Sequence, residues 1–306
     1  MCGDWKDFPY LYTFNGIYKV VLLEICWIIC IKWFYEIIFG FIRWDERNCK
    51  MTKILFFDVD GTLLNSRKEI PVSAKKALYA ARENGYEIAI ATGRAPFMIQ
   101  DILNELEIDS YVSFNGQYVV YKGNPIFTDG VAREQLDAIV HYDSAQNVNF
   151  VFLDEREMVA NVAGNPMIEG SLATLKYPYP RVEADFYLKE PVYQTLVFIE
   201  GEKEVTYKNA FPNVQFVWWH PFSCDILPKD GSKARGIQKF IEAAGVPMSE
   251  TIAFGDGLND VEMLSAVGLG VAMGNAHPEA LAVADVVAPH VDDDGLYKVM
   301  KQLKII

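Results

Sequence analysis

With 41 acidic against 28 basic residues, the 306-residue chain carries a formal charge of −13 and shows no basic stripe, which excludes duplex nucleic acid as a main partner. A 51% hydrophobic content is ample for a sizeable core, and four scattered histidines give a histidine-based site little support. A phosphorylated small molecule stays compatible with this charge, because local cations set the field at a site.

The first fifty residues differ in composition from the rest. They hold four of the five cysteines and four of the six tryptophans, with six basic and six acidic residues. The stretch 20–42 is hydrophobic, but Glu24, Lys32 and Glu36 interrupt it, so no charge-free span long enough for a membrane helix exists there. Acidic residues ahead of the apolar stretch and the lack of a small-residue cleavage site argue against a signal peptide. Three readings stay open: an interfacial amphipathic segment, a membrane anchor, or residues upstream of a start at Met51. The last is favoured, because MTKILFFDVDGT begins a fold economically. Cys26 and Cys30 have helical spacing but no second Cys or His pair, and read as bystanders. The missing export signal and sparse cysteine after residue 50 set an expectation of cytoplasmic residence, with membrane contact only if residues 1–50 are native.

Residues 54–64, ILFFDVDGTLL, are the most informative stretch. Four consecutive apolar residues read as a strand covered on both faces, as in a parallel sheet, and ligands of such sheets gather at strand C-terminal ends. Asp58 and Asp60 stand at that end. A bare Asp-Gly turn is the bland reading. A calcium loop is excluded, because its sixth position requires Gly and here is Leu63.

A helix over 71–84 follows, with an apolar stripe at Ala74, Ala77, Leu78 and Ala81 and Gly85 beyond its end. The strand 86–91 then runs into Thr92, Gly93 and Arg94. A helix over 96–106 and a strand over 111–114 continue the alternation, and Asn115, Gly116 and Gln117 lie near the same edge, where a turn is favoured over the alternative that they orient a loop or touch substrate. From about 130 the grammar changes. A helix near 131–146, strands near 149–153 and 157–161, and strands near 192–200 and 214–219 around a short helix suggest an α+β insert. VQFVWW reads as a strand with one inward Trp, an aromatic lid from Trp218 or Trp219 being the alternative. Arg156, Arg181 and Trp219 are candidates to face a cleft.

Alternation resumes near Cys224. Gly231, Ser232 and Lys233 open a helix with apolar face Ile237, Phe240, Ile241 and Ala244, which holds Lys233 at an N-terminus that already favours anions. The strand 251–254 then runs into Gly255, Asp256, Gly257, Leu258, Asn259 and Asp260. Gly268, Gly270 and Gly274 have the wrong spacing for a dinucleotide fingerprint and read as tight turning of a late strand. The acidic run 290–295, HVDDDG, reads as a helix N-terminus rather than a metal site.

Together, DVDGT, ATGR, GSK and GDGLND, in that order, resemble the haloacid dehalogenase-like (HAD) hydrolase superfamily, and the last motif with VAMGNA is similar to its Cof-type branch, subfamily IIB. The resemblance covers about residues 51–306. It implies an α/β fold, a Rossmann-like parallel-sheet core at 51–129 and 224–306 with an α+β cap domain inserted at 130–223. It implies a Mg²⁺-dependent phosphatase acting on small phosphorylated metabolites, sugar phosphates or phosphorylated cofactors, through an aspartyl-phosphate. Asp58 is then the nucleophile and Asp60 the acid and base. Thr92, Gly93 and Lys233 hold the phosphoryl oxygens, and Asn259 is a candidate substrate contact. Asp58, the main-chain carbonyl of Asp60, and Asp256 hold the metal, a donor set of hard oxygens that suits Mg²⁺. Thr62 is structural or a phosphoryl donor, and Asp260 is a dipole partner or a further ligand. Ala234 and Arg235 depart from the Gly that many relatives carry after the lysine, which touches loop shape and not charge. The alternatives are a catalytically weak binding or regulatory protein and a phosphomutase.

Overall fold

The structure, a computed structural model, describes residues 53–144, 148–199 and 204–306. The readings of residues 1–50 lie outside the described residues, as do those of the Trp218 and Trp219 side chains.

Fourteen strands of the described residues form two sheets. In chain order they are β1 (Ile54–Phe57), β2 (Glu87–Ala91), β3 (Tyr111–Ser113), β4 (Tyr118–Tyr121), β5 (Asn124–Thr128), β6 (Asn149–Leu153), β7 (Met158–Ala160), β8 (Arg181–Val182), β9 (Gln194–Phe198), β10 (Val214–His220), β11 (Ser223–Pro228), β12 (Thr251–Gly255), β13 (Leu269–Ala272) and β14 (Val286–Val287). The larger sheet has the order β14-β13-β12-β1-β2-β3-β4-β5. It is parallel from β14 to β3 and ends in an antiparallel hairpin, β4 and β5.

Strand β1 is wholly buried because alternate residues feed opposite layers, which is why its apolar run is continuous and not alternating. Leu55 and Phe57 join Ala74, Ala77 and Leu78 of helix Val72–Glu83 and Ile99 and Leu103 of helix Pro96–Leu106. Ile54 and Phe56 join Ile237, Phe240 and Ile241 of helix Lys233–Ala244 on the other face. That last helix is capped at both ends: the Ser232 side chain accepts from the Arg235 N–H, and Gly245, at φ +69°, ends it.

The smaller sheet has the order β10-β11-β9-β6-β7-β8, mostly antiparallel. One face packs on Leu136 and Ile139 of helix Arg133–Ser144, on Tyr207 of helix Glu204–Ala210 and on Phe211 just beyond it. Its other face, with Val151, Leu153, Leu196 and Phe198, packs on Ile168 and Leu172 of helix Pro166–Thr174 and on Ala95, Phe114, Tyr118 and Val120 beside the larger sheet. Phe114 stacks on Tyr193 at 5.6 Å, so aromatic contact ties the two sheets together. Together they make the α/β fold with a parallel-sheet core and an inserted α+β layer.

Two bland readings acquire a physical reason. The glycines of 268–274 are places of close backbone approach: a Cβ at Gly270 would stand 2.2 Å from the Leu264 carbonyl oxygen, and one at Gly274 would stand 2.6 Å from the His290 nitrogen. In HVDDDG, Asp292 accepts from Ser66 and Asp294 from Ser73, and helix Gly295–Gln302 follows. No helix of the described residues is long and apolar enough to cross a membrane.

Candidate active site

Sheet register brings the sequence motifs to one edge. Phe57 of β1 lies beside Ile90 of β2 and Phe254 of β12, so Asp58, Thr92 and Asp256 emerge from three neighbouring strand ends. Two aromatic contacts fix these ends. Phe56 meets Phe240 edge-on at 5.1 Å, tying β1 to the helix of Lys233, and Phe57 stacks on Phe254 at 4.7 Å, tying β1 to the strand before Asp256. Each is worth about 0.5–1.5 kcal/mol beyond area burial. They also fix how far Asp58 stands from its partners.

Lys233 is fully buried. Its Nζ donates to Asp58 Oδ1 at 2.5 Å and to Asp260 Oδ1 at 2.6 Å. Asp260 is fully buried too, and its Oδ2 accepts from the N–H groups of Asp256 and Gly257 at 2.9 and 2.8 Å. Both oxygens of Asp260 are therefore engaged in holding the lysine and the GDG loop. Asp256 accepts from Thr62 Oγ1 at 2.9 Å and from Asn275 Nδ2 at 3.2 Å, and the same Asn275 amide donates to the Gly61 carbonyl at 2.8 Å. Gly61 adopts φ +79°, and a Cβ there would stand 2.1 Å from Asp256 Oδ2. Only glycine allows the two acidic loops to approach this closely.

Asp58, Asp256 and Asp260 each bring a carboxylate oxygen within 4.8 Å of the others. Three carboxylates around one ammonium leave two formal negative charges uncompensated. Burial accordingly pushes the Asp58 carboxyl up to about 8, with Asp260 and Asp256 adding to the rise and Lys233 opposing it. Burial, reinforced by Asp260, pushes Asp256 up to about 6 against the Thr62 hydrogen bond. Burial alone would lower the Lys233 ammonium, but the two carboxylates outweigh it and raise it. A hard divalent cation fits this oxygen-only donor set and its two excess charges.

Asp60, two residues on, has a different environment. Its carboxylate lies outside the acidic triad, held by Arg94 and by Lys68. Burial pushes its pKa up, but the Arg94 and Lys68 contacts outweigh that, and the carboxyl sits below its ordinary value.

Thr92 is buried, and its Oγ1 accepts from the Arg94 N–H at 3.1 Å. Gly93 passes so close to the Asn115 amide that a Cβ would meet it at 3.0 Å. The Asn259 amide donates to Asn115 Oδ1 at 2.9 Å, which joins the ATGR and GDGLND loops through the segment for which a turn is the favoured sequence reading and loop orientation the alternative. Arg156 and Arg181 are engaged by acidic groups of the smaller sheet, Arg156 by Asp154 and Glu190, Arg181 by Glu157 and Glu183.

Three residues of this site were not singled out by sequence reasoning: Arg94, Lys68 and Asn275. Arg94 and Asn275 lie inside quoted motifs, so a signal existed. Lys68 carried none, being one exposed lysine in a polar turn.

The haloacid dehalogenase-like hydrolase family model matches residues 55–300, and the chain belongs to that family. Among curated relatives, "Putative phosphatase YkrA" of Bacillus subtilis (strain 168) is 40% identical over 255 residues, covering 83% of this chain and 99% of that one. A solved structure of a hypothetical protein from Geobacillus kaustophilus HTA426 superimposes with a TM-score of 0.81 at 45% identity, over 83% of this chain and all of that one. The solved structure of BT4131, described as a HAD subclass IIB sugar phosphatase, gives 0.74 at 32% identity, over 83% of this chain and all of BT4131.

Proposed function

We propose that the protein is a Mg²⁺-dependent phosphatase of small phosphorylated metabolites, sugar phosphates foremost, working through an aspartyl-phosphate on Asp58. The observation that carries the reading is the division between the two aspartates: Asp58 is buried on Lys233 within the acidic triad, and Asp60 is held apart by other cations. A nucleophile and an acid/base need such separate environments; a divalent cation at Asp58 would lower that raised carboxyl to the ionised, attacking form, and a phosphoryl dianion beside Asp60 would raise the depressed one toward the protonated form. The likeness to BT4131 supports the sugar phosphate class.

A carboxylate about 4 Å from one phosphate charge is repelled by roughly 4 kcal/mol at an effective dielectric of 20. Lys233, held at Asp58, offsets part of this and neutralises phosphoryl oxygens. Mg²⁺, when bound by Asp58, Asp256 and the main-chain carbonyl of Asp60, supplies the remaining charge neutralisation. Asp58 attacks phosphorus, the bond to the ester oxygen breaks, and Asp60 delivers a proton to that oxygen. Asp60 then takes a proton from the water that displaces Asp58. Thr92 and the Gly93 N–H hold phosphoryl oxygens, and Asn259 contacts substrate through the position that Asn115 gives it. Thr62 orients Asp256, and Asp260 orients Lys233 and the GDG loop.

The division into core segments 51–129 and 224–306 and a cap at 130–223 belongs to this proposal. The cap excludes water and contacts the leaving group. Cytoplasmic residence is part of it too, on the sequence grounds already given.

The test is phosphate release from a panel of sugar phosphates and phosphorylated cofactors, with Mg²⁺ and with chelator, beside Asp58→Asn. Turnover that needs Mg²⁺ and falls at least about a thousandfold in Asp58→Asn is expected. A folded wild-type protein that binds these esters without releasing phosphate would replace the enzyme reading with a binding one.

A further inference from the structure

We propose that Arg94 and Lys68 are positioning residues for Asp60, holding it so that Oδ2 alone is left to exchange the reacting proton. The inference rests on the phosphatase reading above and goes beyond it by naming the residues and the oxygen. Arg94 Nε donates to Asp60 Oδ2 at 2.7 Å, Arg94 Nη2 to Oδ1 at 2.7 Å, and Lys68 Nζ to Oδ1 at 2.7 Å. A carboxylate offers about four lone-pair sites, two on each oxygen. Two cationic donors fill Oδ1, and one donor leaves Oδ2 a single open site. That site receives the proton of the attacking water as the bond to Asp58 breaks, and delivers it to the ester oxygen of the next substrate, whose phosphoryl charge offsets the two cations and favours the protonated carboxyl, as the phosphorus–oxygen bond breaks.

Both cations are set in place by their own backbone surroundings. The Arg94 N–H donates to Thr92 Oγ1, and its carbonyl accepts from the Phe114 N–H at 3.1 Å, so the guanidinium is rooted in the loop that carries Thr92. Lys68 sits in a turn built by Asn65, whose Oδ1 accepts from the N–H groups of Arg67 and Glu69 at 2.9 and 3.1 Å. Its φ of +61° is left-handed, a conformation that costs a non-glycine residue about 1–2 kcal/mol. Its side chain is about half exposed, so burial does not account for that conformation. A neutral side chain at Arg94 removes two of the three donors and frees Asp60 to rotate, one at Lys68 removes a single donor and loosens it, and a misplacement of about 1 Å is enough to cost about a hundredfold in rate.

The experiment compares Arg94→Gln, Lys68→Met and wild type in the full chain with Mg²⁺. Steady-state kcat and KM are read on the best alkyl phosphate of the panel, and single-turnover phosphoenzyme formation on p-nitrophenyl phosphate. A nitrophenolate leaves without a proton, so its transfer to Asp58 does not depend on Asp60, and the alkyl ester does. Arg94→Gln is expected to lower kcat on the alkyl ester about a hundredfold with KM within about threefold, and to slow phosphoenzyme formation from the aryl ester less than tenfold. Lys68→Met should move in the same direction by a smaller factor, and its half-exposed side chain makes it the variant least exposed to a folding defect. An equal loss on both esters, or a raised KM at unchanged kcat, overturns the proposal and makes the two cations substrate-binding or structural groups. A wild-type protein that turns over neither ester sinks the phosphatase reading itself, and this inference with it.

Discussion

Asp58 and Asp60 are the same residue type, two positions apart on one loop, and their surroundings oppose each other. Asp58 is 6% exposed and shares one buried ammonium with Asp260, and burial raises its pKa to about 8. Asp60, its side chain 38% exposed, faces Arg94 and Lys68, which hold its pKa below the ordinary value. The difference comes from which strand end each faces, since β1 brings Asp58 to the lysine helix and turns Asp60 toward the loop after β2. A chain can therefore draw two chemistries from one short motif by placing cations of different burial around it.

Removing Lys233 should break the comparison most severely. Lys233→Met leaves Asp58 and Asp260 buried without their cation. The expected cost is about 3–5 kcal/mol of stability in urea unfolding with chelator present, together with loss of measurable turnover. A stability loss under about 1 kcal/mol would mean that the buried carboxylates are satisfied without the lysine.

Asp60→Asn should separate activity from stability. Turnover is expected to fall about 10²–10⁴-fold, while the unfolding free energy changes by less than about 1 kcal/mol because the group is partly exposed. A large loss of stability here would make Asp60 a structural member of the site.

The two carboxylates should also give opposite pH slopes. Asp58 and Asp256 bind a proton more tightly folded than unfolded, so the metal-free protein loses stability as pH rises from about 4 through about 6 and 8. Asp60 binds a proton less tightly folded, so its contribution is present above the unfolded value and is lost only as pH falls through the depressed one. Melting temperatures measured with chelator should decline between pH 5 and 8, and Mg²⁺ should flatten that decline. A flat metal-free profile would show that the triad does not carry the excess charge.

How much of this was legible depended on whether a partner is local in sequence or set by tertiary register. Strand β1 and helix Val72–Glu83 were readable because their burial follows a continuous apolar run and a stripe at Ala74, Ala77, Leu78 and Ala81. Asp58, Asp256 and Lys233 were readable because their motifs sit at strand ends and a helix start. The contact of Lys233 with Asp58 spans 175 positions, and no periodicity reports such a pairing. Arg94 was on view in ATGR, but its partner 34 residues away was not. Hairpin β4–β5 was overlooked despite a local signal, Gly123 between two short apolar runs; in the structure Lys122 and Gly123 both have positive φ, the two-residue turn that hairpins prefer. Pro125 lies on its outer strand, where a missing N–H costs no ladder bond.

The smallest expected effect comes from a second arginine fork of the same shape. Arg181 Nε and Nη2 donate to the two oxygens of Glu157 at 2.7 and 2.8 Å, much as Arg94 grips Asp60, but at the edge of the smaller sheet with the arginine side chain 46% exposed. Arg181 also donates to Glu183 and lies over the Phe186 ring at 5.4 Å, so its neighbourhood is a network of surface charges on an aromatic support. Exposed ion pairs are worth about 0–1 kcal/mol, because water screens them and two side chains must be immobilised. Arg181→Ala is therefore expected to change unfolding free energy by less than about 1 kcal/mol and to leave kcat and KM at wild-type values. Arg94→Ala, with the same fork lost, should cost about two orders of magnitude in kcat. Measuring both variants on one alkyl phosphate decides whether fork geometry or the group it holds sets the consequence. Equal kinetic losses would mean that the smaller sheet reaches the chemistry through Arg181, and would move that edge into the active site.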